Sequence, residues 1–303
     1  MKPSTEKIAA FIALQRRHVF VFFAVVLGQS VDAKMLRKCR LPQAKLPAGR
    51  LSHNLTFTAG PRSRRGVGAL RGTMKFSTVL PIEALCGHSL PFAEAYCLAA
   101  PRSLAERITP EILNGTERAR LQTFRRMADA ERFLVAHYLK RSFLGMLLGQ
   151  NPENIGFVFG KGNKPLLAGG QCHFNLSHSG NWVALMVSRQ APVGIDIEQP
   201  SPNRADLPAS LVIHPNDNLH FTLKDNSDRF YASWTMKEAM SKCDGRGLEI
   251  PFHEIRLEAK VDNSYRGYHE KTVWHARHTL FEDGAHLAYV SEMPSAPLHL
   301  LIY

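Results

Sequence analysis

Residues 172–198 read CHFNLSHSGNWVALMVSRQAPVGIDIE, and this stretch constrains the fold more than any other. Two apolar runs, residues 182–187 and 193–198, are joined by a link through Pro192 that is too short to hold a crossover helix. They read as strands joined in hairpin fashion, fed by a polar loop at residues 174–180. Along an extended chain residues i and i+2 project to one side, so Asp196 and Glu198 share a face while Ile195 and Ile197 fill the other. Two like charges there repel. Exposure at a solvated edge, uptake of a proton, or a divalent hard cation between the carboxylates would each relieve them.

The formal charge of +12 invites a nucleic-acid reading, but its distribution removes that. Residues 1–74 hold 14 Lys plus Arg against two acids, Glu6 and Asp32, giving 14 − 2 = +12, and the other 229 residues balance at 24 against 24. The basic character belongs to an N-terminal extension, 1–73, read as lacking a packed core or as not translated, with Met74 suited to be a start. Within it, the apolar run VFVFFAVVLG behind RRH has the outline of a secretory signal and is too short to span a bilayer. The Arg-rich, acid-poor composition also resembles a transit peptide, which that apolar run fits poorly. Cys39, Cys86, Cys97, Cys172 and Cys243 are odd in number and scattered, without CxxC spacing. They argue for small buried residues in a reducing, cytoplasmic setting rather than for disulfides or zinc.

In the body, residues 109–149 carry Phe133, Leu134, His137, Tyr138, Phe143, Leu144, Leu147 and Leu148 at three- and four-residue spacing, an amphipathic helix that Gly149 stops. IGFVFGKGNKPLLAG reads as a strand into a Gly-rich turn, DRFYASWTMKEAMSK as a second helix, and TVWHARHTL and HLAYVSE as strands. Helices and strands joined by short links predict an α+β fold.

On the second helix Trp234, Glu238 and Lys242 fall at i, i+4 and i+8 with Lys237 beside them, so one face is expected to offer an aromatic, a carboxylate and two ammonium groups. Arg246 follows between two glycines that let a ligand approach the backbone. Ser177 and His178 supply donors suited to a phosphate oxygen, and Lys161 and Lys164 lie on a turn that reaches the same anion but lacks the spacing of a P-loop.

The ordered set GNKPLL, FNLSHSG, VGIDIE and WTMKEAMSKCDGRGL resembles a 4′-phosphopantetheinyl transferase of the surfactin-synthetase-activating type, from about Met74 to the C-terminus. The resemblance implies a pseudo-dimer of two similar subdomains, 74–190 and 191–303, each a small mostly antiparallel sheet with a packed helix. It implies transfer of 4′-phosphopantetheine from coenzyme A to a serine of apo acyl or peptidyl carrier proteins, releasing 3′,5′-ADP. By position, Asp196, Glu198 and Glu238 resemble the magnesium-binding carboxylates. Glu238 is the first choice of base, and Lys242 resembles the lysine that approaches the phosphates. Arg120, Arg132, Lys164, Ser177 and His178 resemble the groups that hold the nucleotide. Where relatives often carry a Glu, this chain offers Asp217. A monomer with no nucleic-acid or membrane partner is expected. A catalytically silent module binding coenzyme A or phosphate is the alternative.

Overall fold

The computed structural model describes residues 78–80, 82–85, 93–200, 208–219, 225–294 and 297–303. The basic extension 1–73, its apolar run and Met74 lie outside the described residues.

The strands are β1 (Thr78–Leu80), β2 (Ala95–Pro101), β3 (Phe157–Phe159), β4 (Pro165–Leu167), β5 (His173–Ser179), β6 (Trp182–Ser188), β7 (Val193–Glu198), β8 (Arg256–Ala259), β9 (Ser264–His269), β10 (Thr272–Leu280), β11 (His286–Ser291) and β12 (Leu298–Ile302). The helices are α1 (Gly115–Leu121), α2 (Met127–Leu148) and α3 (Asn226–Asp244). One sheet has the order β1-β12-β2-β6-β5, a second has the order β7-β11-β10-β9-β8, and β3 and β4 form a separate hairpin. The second sheet is antiparallel throughout. In the first, β12 runs parallel to both β1 and β2, so a strand from the C-terminus enters the sheet built by the N-terminal half. The fold is α+β as expected, with α2 packed on one sheet and α3 on the other. A third apolar cluster, including Cys97, Met186, Ile195, Ile197 and Leu287, joins the two sheets.

The single helix expected over 109–149 is two helices. Asn114 caps α1 reciprocally with Glu117, and Thr123 Oγ1 donates to the Arg120 carbonyl at 2.8 Å, competing with continuation of the helix. A new helix then runs from Met127 to a stop at Gly149, whose φ of 64° favours glycine. Between α1 and α2 lies a buried ionic cluster. Glu117 accepts from Lys140 Nζ at 3.1 Å and Arg141 Nε at 2.6 Å, and His137 Nδ1 lies 2.8 Å from it. Burial alone would raise the Glu117 pKa, but His137, Lys140 and Arg141 together hold it well below the carboxylate range. Removing the carboxylate would strand two buried cations, so this cluster fixes α1 on α2.

The runs at 182–187 and 193–198 are strands, as read, yet they do not form a hairpin ladder. β6 pairs with β2 and β5, whereas β7 pairs with β11. Instead β7 is pressed against α3. A Cβ at Gly194 would collide with the Ala239 carbonyl and sit 2.6 Å from the Cys243 nitrogen, so only glycine lets this strand and helix meet backbone to backbone. Gly194→Ala is expected to lower stability by about 3 kcal/mol or more, read from the denaturant midpoint, because the atoms in the way are backbone and cannot swing aside.

Candidate active site

The segment at 174–180, expected to be a loop, is mostly strand β5, and its alternate residues do the work of a missing ladder. Asn175 Oδ1, Ser177 Oγ and Ser179 Oγ accept from the backbone N–H groups of Ile195, Ile197 and Gln199 at 2.8, 3.3 and 3.1 Å. Both partners advance in the same direction, so β5 and β7 lie parallel and are sewn together by side chains instead of backbone carbonyls. The even residues of β5 face the other way: Phe174 and Leu176 enter the α2 core.

This seam places the acidic strand edge-on to the first sheet with its carboxylates under α3. Asp196, Glu198 and Glu238 each offer an oxygen within 4.8 Å of the others, and all three are buried. Asp196 is 1% exposed, Glu198 6% and Glu238 9%. Lys242 Nζ donates to Asp196 Oδ1 at 2.6 Å and to Ser177 Oγ at 3.2 Å, and it lies 3.3 Å from Glu238 Oε1. Ser177 Oγ in turn donates to Asp196 Oδ1 at 2.7 Å. Glu198 is oriented from two sides, by Trp234 Nε1 at 3.3 Å and Ser179 Oγ at 2.8 Å.

Burial pushes the Asp196 pKa well above the usual carboxylate range, Lys242 opposes this, and Glu238 and Glu198 add to it. Burial would lower the Lys242 pKa, but the facing carboxylates push it up to about 12. With Asp196 ionised, as a metal-ligating carboxylate is, three carboxylates and one ammonium sum to −3 + 1 = −2, which a divalent cation would balance; without a cation, burial favours a proton on Asp196. Asp196 Oδ2, buried without a hydrogen-bond partner, is the acceptor such an ion would satisfy.

Of the residues singled out in the sequence, the structure gathers Asp196, Glu198, Glu238, Lys242 and Ser177 at one point. His178 projects from the opposite side of β5, close enough to Arg132 of α2 to feel its charge. Arg132 also donates to the Gly180 carbonyl at 2.7 Å and pairs with Asp129. Ser177 and His178 therefore serve different faces, although the sequence reading grouped them. Arg120 is more remote in its bonding: it donates to Thr123 Oγ1 at 3.3 Å and stacks over Phe124 at 5.2 Å, and its Nε is buried without a partner.

One expectation about the site is corrected. Lys237 does not join the Glu238 face; one residue along a helix is about 100° around it, and Nζ donates to the Val212 carbonyl and Asp217 Oδ2, each at 2.7 Å. Asp217 is thereby an anchor, also accepting from the Leu257 and His214 N–H groups at 2.7 and 2.9 Å. Lys164 Nζ donates to the backbone carbonyls of Lys242 and Cys243 at the end of α3 and of Val193 at the start of β7. Arg246 folds back on Asp244, with Nε 2.6 Å from Oδ1. The sequence reading missed Asn175 and Ser179; their spacing with Ser177, every second residue, was the signal of a polar strand face.

Burial, first among the causes, pushes four histidines down to about 4: His137, His178, His286 and His299. In the unfolded chain they protonate near the ordinary 6.5, so the unfolded state binds more protons between there and about 4. Stability is therefore expected to fall as pH drops through that window, read as denaturant midpoints at about pH 7 and about pH 5. A flat profile would contradict it.

Known proteins carry the same arrangement of sequence. A model of the 4′-phosphopantetheinyl transferase superfamily matches residues 192–290, and one described as 4′-phosphopantetheinyl transferase, N-terminal, matches residues 102–190. A 4′-phosphopantetheinyl transferase of Bacillus subtilis is 32% identical over 154 residues, 50% of this chain and 68% of that protein. The 4′-phosphopantetheinyl transferase psf-1 of Bacillus pumilus is 34% identical over 166 residues, 53% and 70% of the two chains. The enzyme gsp of Aneurinibacillus migulanus is 29% identical over 171 residues, 54% and 71%. The two family models meet in the link between β6 of the first sheet and β7 of the second, and on these matches the chain belongs to the 4′-phosphopantetheinyl transferase superfamily.

Proposed function

We propose that this chain transfers the 4′-phosphopantetheine group of coenzyme A to a serine of apo acyl or peptidyl carrier proteins, with Asp196, Glu198 and Glu238 holding Mg2+. The observation that carries the metal assignment is the buried, unpartnered Asp196 Oδ2 within a cluster of three carboxylates. The donor set is all oxygen, which suits a hard divalent cation that shares its coordination with phosphate. When bound, the ion supplies charge neutralisation at the pyrophosphate.

The chain's own groups account for the remaining demands. The carrier serine oxygen attacks the β-phosphorus, the bond from that phosphorus to the bridging oxygen breaks, and 3′,5′-ADP leaves. Glu238 is the proposed acceptor of the serine proton, being the most exposed of the three acids. Lys242, with its pKa pushed up to about 12, stays charged and offsets negative charge on the departing phosphate. His178 of β5 and Arg132 of α2, whose charge reaches it, are proposed with Arg120 to receive the nucleotide's own phosphate. Ser177 holds the carboxylate frame. A cytoplasmic setting is supported by Cys97, Cys172 and Cys243, all buried and free. No helix among the described residues is long and apolar enough to cross a membrane.

Incubation with coenzyme A, magnesium and a panel of apo carriers should add the mass of one phosphopantetheine to a carrier. Asp196→Asn, which keeps the shape and removes the charge, should cut the rate by about a hundredfold or more with a native circular-dichroism spectrum. Tight binding of coenzyme A with no carrier modified would instead make the chain a silent binding module.

A further inference from the structure

Lys164 is the last residue of the β3–β4 turn, and the transfer chemistry above does not use it. Its ammonium has three donors, and three backbone carbonyls accept them: Lys242 at 2.6 Å, Val193 at 3.0 Å and Cys243 at 3.3 Å. With its donors matched one to one, the group has none left for a phosphate oxygen. Two of these carbonyls belong to the last turn of α3, where helical donors run out and a cation is favoured by the helix dipole. The third opens β7.

The contact is built from both sides. Gly162, at φ 61°, brings the turn so close to the end of α3 that a Cβ there would stand 2.5 Å from the Gly245 carbonyl oxygen. Gly245, at φ 87°, ends the helix. On the strand side, Gly194 admits the helix backbone and Cys243 Sγ donates to the Pro192 carbonyl at 3.3 Å. Lys164 thus bridges the helix that carries Glu238 and Lys242 and the strand that carries Asp196 and Glu198, from a hairpin belonging to the other half of the chain.

We infer that the Lys164 ammonium is a positioning group for the transfer step, fixing the last turn of α3 on β7 so that Lys242 meets Asp196, rather than a contact to a phosphate of coenzyme A. The inference rests on the function proposed above. A ligand of coenzyme A and a positioning residue move different quantities: loss of a ligand weakens coenzyme A binding, whereas loss of this bridge misplaces Lys242 and slows turnover.

The test uses the full chain and Lys164→Met, which keeps an unbranched aliphatic stem and deletes the donors. Expected are a kcat about tenfold or more below wild type, a calorimetric Kd for coenzyme A within about twofold, and faster amide exchange over residues 238–247 with β2 and β6 unchanged. Lys164→Gln, which retains an amide donor, should fall between the two and supplies the same readings if the Met variant does not fold. A weakened Kd with kcat and exchange intact would overturn the inference, as would unchanged kcat and exchange, or global unfolding of both variants. Should wild type modify no carrier, the proposed function fails on its own, and the exchange and affinity measurements still decide whether Lys164 holds the helix end.

Discussion

The contact of Lys242 with Asp196 and Ser177 is the point on which the rest of the structure depends. Each comes from a different element, α3, β7 and β5, and their hydrogen bonds of 2.6, 2.7 and 3.2 Å tie both sheets and α3 to one carboxylate. A buried carboxylate is costly unless it is paired, so these elements are obliged to converge. Glycine at 194 makes the convergence sterically possible, and the hydroxyls of β5 make it polar. The cluster that results is still short of positive charge by two, which is what a site for a divalent cation requires.

Elsewhere, buried charge is used to place segments. Glu117 gathers His137, Lys140 and Arg141 to lock the short α1 onto α2, and Lys237 gathers Asp217 and the Val212 carbonyl to lock the segment before α3. Such pairs add little net stability against apolar replacements, but losing one partner leaves an unpaired charge, so they specify one arrangement. In both cases the locked segment leads into groups proposed for function: Arg120 on α1, and Glu238 with Lys242 on α3.

Much of this was legible in the sequence because it is local. The two-residue period put Asp196 and Glu198 on one face, and the four-residue period put Trp234, Glu238 and Lys242 on one helix stripe, where the structure has them. What was not legible depends on partners far along the chain. The parallel pairing of β12 with β1 joins residues near 300 to residues near 79, and no local pattern announces it. Residues 174–180 look like a loop because their polar side chains replace a ladder, an arrangement visible only once β7 lies beside them. Lys237 and Lys164 carry the same charge as Lys242, and only the fold reveals that they spend it on Asp217 and on carbonyls.

Direct titration of a divalent cation, with Mn2+ as a paramagnetic stand-in and coenzyme A present, tests the central claim without relying on turnover. A single saturable site in the wild-type chain that is lost in Asp196→Asn, with the fold intact, is the predicted result. Equal binding by both proteins, or none by either, would contradict a metal centre at Asp196, Glu198 and Glu238.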